Sequence, residues 1–128
     1  MKYRKFFPVY ETECHCGCQH DEISELFMNK MYTIRKTLDF PLIVTSGYRC
    51  PDHNLSVSGK STGPHTTGHA IDIQIHGGRA VYLIKEALLE GMRGIGVKQT
   101  GPLKGRFIHL DDLDTAGFRR PWLWSYSE

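Results

Sequence analysis

The run His69–Ile75, "HAIDIQI", places isoleucine at every second position. A side-chain period of two is that of a β-strand, and a row of β-branched residues on one side must be covered by core. If the strand starts near Gly68, then His69, Ile71, Ile73 and Ile75 share the core face. Ala70, Asp72, Gln74 and His76 share the other. A slip of one residue would exchange the faces, so this segment restricts the register of any sheet that contains it.

The rest of the chain provides companions for that strand. "DEISELFMNKMYTIRKTLDF" carries Ile23, Leu26, Phe27, Ile34 and Leu38 at helical spacing and is closed by Pro41. "LIVTS" reads as a short buried strand. The segment from Gly78 to Met92, with "YLIKEALLEGM" as its greater part, reads as a second amphipathic helix with Val81, Ile84, Leu88 and Met92 on one stripe. "RGIGVK" and "RFIHLDD" read as two further strands joined through Gly101 and Pro102. Between the first strand and "HAIDIQI" lies "GYRCPDHNLSVSGKSTGPH", read as a long loop of the kind that carries function. The aromatic tail "RRPWLWSYSE" is expected to pack back over the domain. Short links suggest antiparallel neighbours. The expectation is a single α+β domain over residues 1–128, a small and mainly antiparallel sheet flanked by helices.

Hydrophobic residues at 40% and charged residues at 23% of 128 suit one soluble domain. A net charge of +2 is too small to indicate nucleic acid. No apolar run reaches membrane-spanning length, and "MKYRKFFPVYETE" is broken by Pro8 before it resembles a secretory signal. Cytoplasmic synthesis is therefore expected, and a monomer. Cys14, Cys16, Cys18 and Cys50 are then thiols rather than a disulfide frame. "CHCGC" lacks the C-x-x-C spacing of zinc knuckles; a second metal site there competes with a tight turn.

"GPHTTGHAID" poses a metal question. His65 and His69 are four apart, the spacing of a helical ligand pair, but Gly68 and the missing glutamate of H-E-x-x-H weaken that reading. Parity turns His69 away from Asp72, whereas His65 lies in the loop and is free to fold over the polar face. In "RFIHLDD", His109 shares a face with Phe107 and Asp111. If the two strands are neighbours, His65, Asp72 and His109 converge. Two imidazoles and one carboxylate suit Zn²⁺ and leave the open position of a catalytic site. The competing reading is a hydrogen-bonded surface cluster.

These segments resemble the zinc D-Ala-D-Ala carboxypeptidase family, which shares its fold with the hedgehog signalling domain. "HTTGHAID" fits H-x-x-G-x-A-x-D, "PLIVTSGYRCPDHN" is similar to the family's strand followed by S-G-x-R, and "GRFIHLD" is similar to its late strand ending in the last zinc histidine. The three stand in the family's order. "GPHTTG" and the final "RPWLWSY" look like small phage or prophage members.

The resemblance implies His65, Asp72 and His109 as zinc ligands. It implies Arg49 as the arginine near the scissile carbonyl, and cleavage of peptide bonds in bacterial peptidoglycan as the activity. Ser46, which orders the arginine's loop, and Asn54 are candidate substrate contacts. Two departures stand out: Gly63 replaces a frequent serine, and Arg106 occupies the place of an acidic general base, which it cannot replace. Asp111 is left either as the base or as the acceptor that fixes a ligand histidine's tautomer. Two functions follow as expectations. One is an endolysin-like D,D-peptidase that acts on the wall after phage-mediated release; the other is a zinc-bearing wall-binding module of the same fold.

Overall fold

The computed structural model describes residues 1–127. Among these, the helices are α1 (Val9–Thr12), α2 (Glu25–Leu38), α3 (Pro51–Ser58) and α4 (Gly77–Leu89). The strands are β1 (Ile43–Ser46), β2 (Ala70–Gln74), β3 (Gly94–Lys98), β4 (Phe107–Asp111) and β5 (Trp122–Ser125), in the spatial order β1-β2-β4-β3-β5. This is an α+β fold with a mostly antiparallel sheet. The β3–β5 pair is parallel, unlike the antiparallel neighbour that short links suggested. The chain leaves β4 through residues 112–121 and returns along the outer side of β3, so the aromatic tail is an edge strand.

The sheet has two different faces. Ile71, Ile73, Ile108 and Leu110 are fully buried against α2 and α4. α2 begins at Ser24, whose Oγ accepts from the Phe27 amide, and ends at Asp39 in a left-handed conformation just before Pro41. Its buried stripe is Phe27, Met28, Met31 and Ile34; Leu26, expected on that stripe, is 74% exposed. α4 is rotated from the expected face. Ala80, Leu83 and Ala87 are buried while Val81 and Leu88 face solvent; of the expected stripe, Ile84 packs partly against the core and Met92, just past the helix, is buried. The alanines let α4 approach α2 closely, a packing gain that hydrophobicity alone does not rank.

The long loop contains a helix. Cys50 caps α3, with Sγ accepting from the His53 amide at 3.4 Å, Pro51 opens it and Gly59 ends it at φ +79°. Proline at the first helical position and glycine just past the last are helix punctuation, and that was the available signal. Among the described residues no helix is long and apolar enough to cross a membrane.

Candidate functional site

Register assembles the polar face. β2 pairs with β4 so that Asp72 stands opposite His109; β4 pairs with β3 so that His109 stands opposite Gly96; and Gly96 stands opposite Trp124 of β5. Ser46 of β1 adjoins Asp72 at the other end. Opposed residues point to the same side, so Ser46, Asp72, His109, Gly96 and Trp124 form one row across the sheet. The missing side chain at Gly96 is used: a Cβ there would meet the Trp124 ring at 2.7 Å.

His65 reaches this row from the 3₁₀ turn Pro64–Thr67, which ends at Gly68 with φ +79°. The Gly68 carbonyl accepts from the Ser24 amide at 2.8 Å, tying the turn to the start of α2. His65 is buried, with Nδ1 2.8 Å from the Gly47 carbonyl and Nε2 3.2 Å from Asp72 Oδ1. His109 Nδ1 lies 3.0 Å from the same oxygen. One donor atom from each of the three residues lies within 4.8 Å of the others.

The arrangement fits a bound cation. The carbonyl of Gly47 requires a proton on His65 Nδ1, which leaves the Nε2 lone pair facing a carboxylate oxygen. Asp111 Oδ2, 2.8 Å from His109 Nε2, likewise accepts a hydrogen bond from that ring and leaves Nδ1 facing Asp72. Two lone pairs and a carboxylate directed at one point call for a positive charge among them, a metal ion or, in the metal-free protein, a proton on an imidazole. Burial works against ionisation of Asp72, but His65 and His109 beside it outweigh burial and hold the carboxyl well below the usual carboxylate range. For His109, burial disfavours the charged ring, and the hydrogen bonds to Asp111 and Asp72 override it and raise the pKa.

Asp111 is fully buried behind His109, away from Asp72. Arg120 donates to it twice, Nε to Oδ1 and Nη2 to Oδ2, both at 2.8 Å. A Cβ on Gly94, its partner across the β3–β4 ladder, would overlap the carboxylate. Burial raises the Asp111 pKa, but His109 and Arg120 outweigh that and bring it to about 2. Its oxygens do not line the cleft and are turned to His109 and Arg120.

Arg49 lies beside Asp72, with Nη2 3.5 Å from Oδ2. Its Nε donates to Ser46 Oγ at 3.0 Å and Nη1 to Asn54 Oδ1 at 3.4 Å. The side-chain oxygens of Ser46 and Asn54, expected at the substrate, are therefore engaged in orienting the arginine. Asn54 is only 3% exposed and also donates to the Lys60 carbonyl. His69 points to the opposite face, where Nδ1 meets Asp112 Oδ1 at 2.9 Å. Arg106 turns aside to donate to the Gly101 carbonyl and does not line the cleft.

His65, Asp72, His109 and Trp124 line a cleft of ≈ 710 Å³ between α3 and the tail strand. Phe107, Trp124 and Tyr126 form an aromatic wall: the Trp124 ring is 5.1 Å from His109 and the Tyr126 ring 4.9 Å from Phe107. Burial and then the charge of Asp72 push the Tyr126 phenol up to about 12, so it is a neutral hydrogen-bond donor at physiological pH. Among the described residues, Asp72 is the one carboxylate that lines the cleft. Sequence reading did not single out Trp124, Tyr126 or Arg120. The signal was present in "WLWSY", where aromatic residues recur at strand period.

No curated protein matches the chain. The sequence pattern of the Peptidase M15 family matches residues 4–111, a span that includes Arg49, the three converging ligands, Phe107 and Asp111 but stops before Trp124 and Tyr126. A buried His-Asp-His cluster with polarised imidazoles, on a mostly antiparallel sheet, is the centre such a match calls for, and the chain belongs to the Peptidase M15 family, the zinc-dependent D-Ala-D-Ala carboxypeptidase family.

Proposed function

We propose that this protein is a zinc metallopeptidase that hydrolyses peptide bonds in the stem peptides or cross-links of bacterial peptidoglycan, a D,D-carboxypeptidase or endopeptidase of endolysin type. The observation that carries this reading is the convergence of His65, Asp72 and His109 at the base of a cleft, with Arg49 held beside them. When bound there, zinc supplies Lewis acidity to a scissile carbonyl and to an attacking water. Arg49, planar, always charged and fixed by Ser46 and Asn54, stabilises the developing oxyanion. Asp111 keeps the His109 proton on Nε2 and the Nδ1 lone pair toward the ligand cluster. Trp124 and Phe107 exclude water from one side, and the Tyr126 phenol donates a hydrogen bond to a substrate carbonyl or carboxylate. In this reading the protein reaches the wall through a phage-made membrane lesion and acts as a monomer.

A second reading draws on the lining itself. Because no carboxylate other than Asp72 faces the cleft among the described residues, a zinc-bearing module that binds wall peptides without cutting them is the alternative. Incubating the zinc-loaded protein with purified peptidoglycan, with His109→Ala as control, separates the two. New soluble muropeptides from the wild type alone support the peptidase. Wall that stays intact while the protein retains zinc and co-sediments with it refutes the peptidase in favour of the binding module.

A further inference from the structure

The four cysteines form a second cluster outside the cleft. Cys14, Cys16 and Cys18 come from the turn after α1, and Cys50 comes from the cap of α3. Their sulfurs all lie within 4.8 Å of one another, with Cys14–Cys16 at 3.5 Å and Cys16–Cys50 at 3.6 Å. A disulfide needs about 2.05 Å, and none is present among the four. Sulfurs bound to one tetrahedral zinc at about 2.3 Å stand roughly 3.8 Å apart, close to what is seen here.

The surroundings suit anionic sulfur. The amide of Cys50 donates to Cys14 Sγ at 3.3 Å, that of His53 to Cys50 Sγ at 3.4 Å, and that of His20 to Cys18 Sγ at 3.5 Å. Three sulfurs thus sit as acceptors of backbone N–H groups from three places in the chain. Gly17, at φ +94°, makes the reversal that brings Cys16 and Cys18 back toward Cys14 and Cys50.

We propose that Cys14, Cys16, Cys18 and Cys50 form a closed structural zinc site, separate from the His-Asp-His centre. Four thiolates fill the coordination sphere, so the ion is a clamp and not a reactant. Binding releases the four thiol protons to solvent. The clamp fastens the N-terminal segment to the residue that follows Arg49, at the start of the helix that walls the cleft. The Tyr48 amide reinforces the same junction by donating to the Thr12 carbonyl at 2.8 Å. This site stands independently of the peptidase reading.

The test counts metals in the full-length protein by mass spectrometry. Wild type is expected to hold two zinc ions per chain. A His65→Ala/His109→Ala variant and a Cys16→Ser/Cys18→Ser variant are each expected to hold one. The cysteines replaced are the two exposed ones, so Cys14 and Cys50 still pack in the core. Unlike the cysteine variant, the histidine variant loaded with Co²⁺ alone should show near-ultraviolet thiolate-to-cobalt absorption. Its thiols should react with a thiol reagent only after chelation. The proposal is overturned if the histidine variant binds no metal and all four thiols label at once, or if two thiols are missing to a disulfide. Loss of the cleft zinc with retention of the cysteine-bound one would count against the peptidase reading alone.

Discussion

Arg120 carries a load out of proportion to its distance from any ligand. It holds Asp111 with two charge-assisted bonds of 2.8 Å, its side chain is 7% exposed and that of Asp111 is 0% exposed. Replacing it with methionine keeps much of the stem that packs near the Trp124 ring but removes the charge. Breaking one half of a buried ion pair costs on the order of 3–5 kcal/mol, against a total stability of about 5–15 kcal/mol for a domain. The net depression of Asp111 to about 2, which remains after His109 and Arg120 outweigh burial, corresponds to roughly 2–3 kcal/mol, and the expectation is set at the low end of that range.

The stranded carboxylate can recover part of the loss by drawing a second proton onto His109, and that proton competes for the Nδ1 lone pair. Arg120→Met should therefore destabilise the metal-free protein in urea by about 3 kcal/mol. It should also weaken zinc binding about 10- to 100-fold in chelator competition, more at pH 6 than at pH 8. An Asp111→Leu/Arg120→Met double variant should regain most of the stability and none of the zinc affinity. Arg120→Met within about 1 kcal/mol of wild type and with unchanged zinc affinity would refute the reasoning.

Four further outcomes follow from the same geometry. Asp111 titrates lower in the folded protein than its unfolded value of about 3.9, so its contribution is full above about pH 4 and lost as pH falls through about 2; urea midpoints of metal-free protein should drop across that window. Gly96→Ala pushes the Trp124 ring off His109 and should cost roughly 1–3 kcal/mol, read by thermal unfolding together with tryptophan fluorescence. His69→Ala should leave the zinc count unchanged and cost only about 1 kcal/mol, because Asp112 keeps its 2.7 Å bond to Lys30; loss of one zinc would contradict its placement on the core face. Arg49→Lys removes the planar fork that Ser46 and Asn54 orient and should lower kcat on peptidoglycan about 10²- to 10³-fold with zinc retained.

Much of the sheet was legible because strand period is local information. The alternation in "HAIDIQI" put Ile71 and Ile73 in the core, Asp72 on the polar face and His69 behind it, as the structure has them. Helix faces were less legible. In α4 a stripe of Val81, Ile84 and Leu88 and a stripe of Ala80, Leu83 and Ala87 compete, and hydrophobicity favours the first. The second is buried because small side chains permit close helix packing, which depends on what lies opposite. α3 is hard to tell from loop because its composition is polar and only its end signals are helical.

Local pattern suffices for the residue types that can hold a metal, for their faces, and for the family pattern that runs from residue 4 to residue 111. These follow from chemistry and from periods of a few residues. Only contacts in three dimensions set Asp72 opposite His109, leave space at Gly96 and Gly94 for Trp124 and the Asp111 carboxylate, and bring Arg120 and His109 to opposite sides of that carboxylate's hydrogen bonding. The physical reason is that strand register and side-chain pairing are set by contacts between segments far apart in the chain. No local pattern records which partner a buried charge will find.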